Sequence, residues 1–126
     1  MEEPKRIGLT AVTTEKLDEL HKEINPGEGE EGVRLIKLDI YRLAVAIGVK
    51  KGVVPLEIEG EVIRGFRVGE FDEDGIIFAA VEGMGIVPKD VPIYEYIQRL
   101  AEEGITEFYR AYNQMGQLPL EEYFTE

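Results

Sequence analysis

The stretch Asp-Ile-Tyr-Arg-Leu-Ala-Val-Ala-Ile-Gly-Val-Lys-Lys-Gly, residues 39–52, is the most apolar part of this 126-residue chain. Apolar side chains follow one another through 40–49, and helices that are apolar most of the way round lie in protein cores. Asp39 is a good N-cap residue, two lysines place cations in the last turn, and Gly52 supplies a stop. The stretch therefore predicts a helix over 40–49 at the centre of the fold.

The hydrophobic period changes directly after this helix. Valine, leucine and isoleucine alternate with proline and glutamate through 53–59, and 62–68 continues in β-rich composition. Alternation of this kind is typical of strands with one buried face. We therefore predict a β-hairpin across 53–68 that turns near Gly60.

The region before the central helix predicts one short extended segment and one helix. Apolar residues between Ile7 and Val12 favour the extended segment, and Thr13 or Thr14 is expected to cap the helix. Four residues at i, i+3, i+4 and i+7 give that helix one buried face: Leu17, Leu20, His21 and Ile24. An acidic, glycine-rich loop follows over 27–32.

Three helical segments are predicted after the hairpin. Asp72 is expected to cap the first, a second begins near Pro92 and stops at Gly104, and Thr106 caps the last, which ends at Gly116. The fold class is thus α+β: a single, mostly helical domain over 1–116 with a central apolar helix and a β-hairpin. Residues 117–126 form a short C-terminal tail.

Composition excludes several classes of protein. The chain has no cysteine, so neither a disulfide framework nor a thiolate metal site is expected. It shows no signal peptide and no long apolar run, which favours a soluble, cytoplasmic protein without a membrane partner. Charged residues make up 32% of the chain and tryptophan is absent, a composition that suggests a thermophile.

The net charge of −12 disfavours direct binding to DNA. Affinity for the phosphate backbone requires lysine and arginine on the binding surface. Four cations are candidates for a local basic patch: Lys50, Lys51, Arg64 and Arg67. We expect contact with DNA to be indirect, either through protein partners or by competition with DNA for a basic surface. The alternative is that the acidic surface serves only to keep the protein soluble.

No catalytic constellation or metal site is identifiable. His21, the one histidine, lies on the apolar edge of a predicted helix, where a packing or surface role is favoured over that of a base. The glutamates at 57, 59 and 61 resemble the acid pairs of nucleases, but no lysine completes that pattern. The acids of 72–75 are better explained as a helix N-terminus than as a calcium loop. We expect no cofactor and name no metal ligands, although the many carboxylates leave a Mg²⁺ site open. A non-enzymatic protein is favoured, and catalysis stays the alternative.

The tail Gln-Leu-Pro-Leu-Glu-Glu-Tyr-Phe, residues 117–124, contains a compact group of apolar side chains. Leu120, Tyr123 and Phe124 stand at i, i+3 and i+4, so one helical turn places the three side chains on one face. Gln117 lies outside that turn and is available for hydrogen bonding. The alternative is that the three apolar residues pack on the protein's own core as a last helical turn.

This tail resembles the PIP box, the motif through which proteins bind the sliding clamp PCNA. The resemblance covers eight residues and implies that Gln117 fills a small polar pocket of the clamp. It implies that Leu120, Tyr123 and Phe124 enter a hydrophobic pocket as one turn of helix. The chain is then a non-enzymatic accessory or regulatory protein of DNA replication or repair, with PCNA as its partner.

Residues 39–115 show a second, broader resemblance, to small proteins associated with DNA phosphorothioation gene clusters. It is carried by 39–52, the β-rich middle, and the stretches 94–96 and 101–105. It implies no catalytic residue. The alternatives to clamp binding are therefore an accessory subunit of a DNA-modification or restriction complex, or a carboxylate-dependent nuclease. The oligomeric state stays open.

Overall fold

The computed structural model describes residues 2–24 and 36–115. The elements, in chain order, are β1 (Arg6–Thr10), α1 (Ala11–Ile24), α2 (Lys37–Lys51), β2 (Val62–Arg67), α3 (Val68–Phe71), α4 (Ile76–Gly83) and α5 (Ile93–Met115). Helices dominate and one two-stranded antiparallel sheet accompanies them. The predicted α+β class, mostly helical, is confirmed.

Helix α2 occupies the centre, as its apolar sequence predicts. Ala44 and Val45 have no exposed surface. The helix begins two residues before Asp39, whose carboxylate accepts a hydrogen bond from the Ile36 N–H at 3.1 Å. Asp39 therefore caps the first turn from inside the helix. Gly52 ends the helix with φ = 66°, in the left-handed region that glycine adopts without strain.

Helix α5 corrects the predicted break at Gly104. The two expected helices are one continuous helix of 23 residues. Gly104 lies where α5 crosses α2, and a Cβ added there would stand 2.7 Å from the Cβ of Ala44 and 2.9 Å from its carbonyl oxygen. Thr106, expected to cap a new helix, instead donates its hydroxyl to the Glu102 carbonyl within α5. Gly104 permits a close helix crossing and does not end the helix.

The sheet confirms an antiparallel pair but corrects its location. β2 pairs with β1 near the start of the chain, and 53–61 contains no strand. The alternation in 53–59 has its apolar side chains outward, since Val54 and Leu56 are 74% and 77% exposed while Pro55 is buried. The expected hairpin would have required those two side chains to face the core.

Two helix starts also differ from expectation. Helix α1 begins at Ala11, one residue after β1, and the Thr10 hydroxyl accepts a 3.4 Å hydrogen bond from the Thr13 N–H. Thr13 thus lies inside the first turn and does not cap it. Asp72 does cap α4, but from upstream: its carboxylate accepts hydrogen bonds from the N–H groups of Ile77 and Phe78.

The core forms where α1, α2 and α5 pack together against β1. Leu17 and Leu20 of α1 are buried, which confirms their predicted face, while His21 is half-buried. The largest fully buried side chains come from five elements: Ile7, Leu9, Leu17, Leu20, Ile40, Tyr41, Phe71, Ile97, Leu100, Ile105 and Phe108. Helix α5 packs against α1, α2, α4 and β1 and so lies against most of the core.

Candidate functional site

The residues predicted to bind a partner lie outside the described part of the chain. Gln117, Leu120, Tyr123 and Phe124 follow helix α5, which extends to Met115. Their role stays a prediction.

A β-bulge marks the most constrained point of the sheet. The register shifts between Ile7 and Leu9, so Gly8 has no strand partner of its own. A Cβ at Gly8 would stand 1.7 Å from the Ile63 carbonyl oxygen, which excludes any side chain. Two buried side chains satisfy the glycine backbone instead. Its N–H donates to Gln98 Oε1 at 2.8 Å, and its carbonyl accepts from the Tyr41 hydroxyl at 3.0 Å.

A second polar cluster lies one turn further along α5. Glu102 Oε1 accepts from the Thr10 N–H at 3.0 Å, and Oε2 accepts from the hydroxyls of Thr10 and Thr13 at 2.9 and 2.8 Å. Gln98 and Glu102 stand at i and i+4, so both project from one face of α5 toward β1. We use the name β1 bracket for Gln98, Glu102 and the four groups that donate to them: the N–H groups of Gly8 and Thr10 and the hydroxyls of Thr10 and Thr13.

The β1 bracket is built to hold the fold. Its acceptors are occupied by donors of the protein, and buried polar groups that are fully paired rigidify a structure. Burial, and then the charge of Glu102, raise the pKa of Tyr41 well above its usual value, so this phenol stays protonated. Neither a free base nor a free acid is left there to act on a substrate.

A third polar cluster, at Asp72, has the same structural character. Besides capping α4, its carboxylate accepts a 2.9 Å hydrogen bond from the Tyr94 hydroxyl. Burial, and then the hydrogen bond to Asp72, raise the pKa of Tyr94 above its ordinary range. Asp72 thus serves the N-terminus of α4, in agreement with the helix-terminus interpretation.

The other candidate groups are not assembled into a site. Within residues 2–24 and 36–115, no group of three or more histidines, aspartates or glutamates has the arrangement to hold a metal ion. Glu57, Glu59 and Glu61 are exposed on the irregular segment before β2 and do not lie on a strand. The nuclease-like pattern therefore lacks the strand that would align its carboxylates.

Two of the four cations proposed for a basic patch are neutralised by acids. Arg64 forms a 2.9 Å ion pair with Glu95, and Arg67 lies 4.0 Å from Glu70. Such exposed pairs add little to stability, but each cancels a positive charge locally. The prediction that DNA is contacted only indirectly is consistent with these pairs.

A groove between α2 and α5 forms a pocket among the described residues. Its volume is about 560 Å³. That volume lies within the range of about 300–1,000 Å³ that is usual for ligand pockets. The apolar part is formed by Ala44, Ile47, Gly48, Val53, Leu100, Gly104 and Phe108, and the polar part by Lys51, Glu102, Glu103, Thr106 and Glu107. We call this pocket the α2–α5 groove.

A second pocket is smaller and polar. It has a volume of about 220 Å³ beside the start of β2 and is lined by Glu57, Ile58, Gly60, Val62, Arg64, Glu95, Gln98 and Arg99. Arg64 and Glu95 are paired with each other, and Gln98 belongs to the β1 bracket. The polar groups of this pocket are thus largely committed to the fold.

Sequence reasoning missed the β1 bracket and the α2–α5 groove. Gln98 and Glu102 have the helical spacing of one face, but spacing does not distinguish a polar face toward water from one toward a strand. Gly8 carried the only local signal, because an isolated glycine in a strand pattern suggests a bulge. The groove depends on how two distant helices cross.

Comparison with known proteins adds no relative: no protein-family model, no curated protein and no solved structure matches this chain. None of the helices in the described residues is long and apolar enough to cross a membrane. The residues and their geometry therefore carry the functional argument.

Proposed function

We propose that this protein is a non-enzymatic accessory or regulatory factor that binds a PCNA sliding clamp through residues 117–124. The observation that carries the proposal is the tail sequence itself, in which Gln117, Leu120, Tyr123 and Phe124 match every position of the PIP box. The spacing of three of the four would place them on one face of a helical turn. Hot-spot residues of interfaces are typically aromatic, as two of these are.

The body of the protein supports a binding role. Its described polar clusters, the β1 bracket and the Asp72–Tyr94 contact, are paired internally and hold secondary structure together. The net charge of −12 opposes direct contact with DNA. A clamp-binding factor in the cytoplasm reaches DNA through the clamp and needs no basic surface of its own.

Calorimetric titration of the full chain with purified PCNA tests the proposal. Tyr123→Ala or Phe124→Ala should each cost at least about 2 kcal/mol of binding, more than about thirtyfold in affinity. Gln117→Ala should cost about 0.5–1.5 kcal/mol, the net value of one hydrogen bond. Glu121→Ala and Glu122→Ala are matched controls on the opposite face and should bind like the wild type. Absence of binding by the wild-type chain would overturn the proposal.

The alternatives predict different results. An accessory subunit of a DNA-modification complex, suggested by the resemblance over 39–115, requires no affinity for PCNA. A carboxylate-dependent nuclease would cleave DNA when Mg²⁺ is added and stop when it is chelated. Clamp binding without metal-dependent cleavage supports the proposed function against both.

A further inference from the structure

The α2–α5 groove has the dimensions and chemistry of a docking site for a short apolar segment. Its floor contains Ile47, Leu100 and Phe108, and the two helices approach closely there because Gly104 has no side chain. Its rim carries lysine, threonine and glutamate side chains. A small apolar floor with a polar rim is the usual anatomy of a protein–peptide contact.

The tail of the same chain is within reach of this groove. Along α5 the rise of about 1.5 Å per residue places Gly104 and Phe108 about 16 and 10 Å before Met115. The five residues from Met115 to Leu120 span up to about 17 Å when extended. Gly116, directly after α5, supplies the conformational freedom for a reversal. Leu120 can therefore return as far as the groove floor.

The chemistry of the tail matches that of the groove. One helical turn presents Leu120, Tyr123 and Phe124 together, which suits an apolar floor. The spacing of Glu121 and Glu122 places both residues off that apolar face of the turn. Linkage through a short segment also gives the tail a high effective concentration at the groove, in the millimolar range for short flexible linkers.

We propose that the α2–α5 groove binds the protein's own tail, through the same three side chains that engage the clamp. The two contacts are mutually exclusive because each buries Leu120, Tyr123 and Phe124. The tail is then available to the clamp only in the fraction of molecules in which the groove has released it. The docking stands on the groove and the tail sequence, whereas its regulatory consequence rests on the proposed clamp binding.

A nitroxide label on the full chain tests the docking. The sequence contains no cysteine, so Thr125→Cys creates a single attachment site beside Phe124. We expect the label to broaden the methyl NMR signals of Ala44, Ile47 and Leu100, and to leave those of Ala79 on exposed α4 sharp. The same label on a Tyr123→Ala, Phe124→Ala chain should lose the broadening. Equal signals with and without the two aromatics would overturn the docking.

A dilution control distinguishes the protein's own tail from that of a second copy. Chains that carry the nitroxide but no isotope are mixed with isotope-labelled chains that carry no nitroxide. Any broadening then arises from a nitroxide on a different molecule. Broadening in the mixture equal to that in the singly labelled chain would assign the groove to a second copy and overturn the proposal. Sharp signals in the mixture support docking within one chain.

A groove-blocking variant tests the competition. Thr106 is exposed on the groove rim, so Thr106→Trp obstructs the groove without entering the core, and Ala79→Trp on exposed α4 is the matched control. Only molecules with a released tail can bind PCNA, so the apparent affinity is reduced in proportion to the fraction of molecules whose tail is docked in the groove. If most tails are docked in the wild type, blocking the groove should tighten PCNA binding by about three- to tenfold. The control should bind like the wild type.

The outcomes separate the two proposals. PCNA binding that is unchanged by Thr106→Trp would overturn the competition while leaving the proposed function in place. Broadening at the groove without PCNA binding in any variant would support the docking and overturn the proposed function. Tighter binding in Thr106→Trp alone supports both.

Discussion

Helix α5 meets the rest of the domain through two unlike contacts. Toward α2 it presents Leu100 and Gly104, and the helices approach until the missing Cβ of Gly104 would stand 2.7 Å from Ala44. Toward β1 it presents Gln98 and Glu102, which accept hydrogen bonds from strand and hydroxyl donors. The contact with α2 forms because Gly104 has no side chain, and the contact with β1 forms because Gln98 and Glu102 place hydrogen-bond acceptors opposite its donors.

The difference shows which substitutions each contact tolerates. An apolar contact loses free energy in proportion to the atoms removed or forced in. A polar contact loses most when one partner is removed and the other stays buried without a hydrogen bond. The four predictions that follow probe these two contacts, from the largest expected effect to the smallest.

Truncation of Leu100 should be the most damaging change. This side chain is 1% exposed and fills the space beside Gly48 in the α2 contact. Leu100→Ala should lower the free energy of unfolding by about 2–5 kcal/mol, as buried leucine truncations do. Urea denaturation followed by circular dichroism measures it. A loss below about 1 kcal/mol would mean that the α2–α5 contact closes over the missing atoms.

Removal of the Gln98 acceptor should be next. Gln98 is 2% exposed and accepts the N–H of Gly8 in the bulge. Gln98→Leu leaves that donor buried and unpaired, which should cost about 1–3 kcal/mol. Gln114→Leu is the control, because Gln114 is exposed near the end of α5 and surface changes of this kind usually stay within about 0.5 kcal/mol. Equal losses of unfolding free energy in both variants would show that the β1 bracket does not stabilise the fold.

A methyl group at Gly104 should destabilise the crossing. Gly104→Ala forces a Cβ against the Ala44 backbone, and the overpacking exceeds the gain in helix propensity, for a net loss of about 1–2 kcal/mol. Gly48→Ala is the matched control: its Cβ would meet the Leu100 side chain at 3.2 Å, which can shift. Calorimetric unfolding should leave Gly48→Ala within about 0.5 kcal/mol of the wild type. A stabilised Gly104→Ala would show that the helices separate freely.

Loss of the Tyr41 hydroxyl should have the smallest effect, and one that depends on pH. Tyr41→Phe removes the donor to the Gly8 carbonyl and should cost about 0.5–1.5 kcal/mol at pH 7. The pKa of Tyr41 is raised in the folded state, so folding favours the neutral phenol. Above about pH 10 the unfolded chain ionises first and the wild type loses stability, a loss that phenylalanine avoids.

The disadvantage of Tyr41→Phe should therefore shrink between pH 9 and pH 11, about one unit either side of the ordinary tyrosine pKa. Urea midpoints of both chains across that range measure the change. The other tyrosines are present in both proteins and cancel in the difference. A constant difference across the range would show that Tyr41 ionises equally in both states.

Much of the fold could be predicted because its signals are local. The central position of α2 follows from a run of apolar residues that no surface helix would carry, and Leu17 and Leu20 follow from helical periodicity. The break at Gly104 was wrong for a physical reason. Glycine both ends helices and admits close helix crossings, and a neighbouring helix 60 residues away in sequence decided between the two roles.

The candidate sites also differ in whether local sequence suggests them or tertiary contacts create them. The tail pattern Gln117, Leu120, Tyr123, Phe124 needs nothing but its own spacing, so the sequence alone suggests it, and its role stays a prediction. The α2–α5 groove required the crossing of two helices, and the β1 bracket required α5 to lie beside β1. No local spacing contains either arrangement.

By itself the sequence determined the fold class and the central helix, because these depend on side chains within one or two helical turns of each other. The tertiary structure alone decided that β2 pairs with β1 and that α5 runs unbroken past Gly104. Strand pairing and helix crossing are selected by which surfaces bury together and which backbone groups find partners. Those choices join residues far apart in the chain, and their free energy exceeds the local preferences of a single alternating stretch or a single glycine.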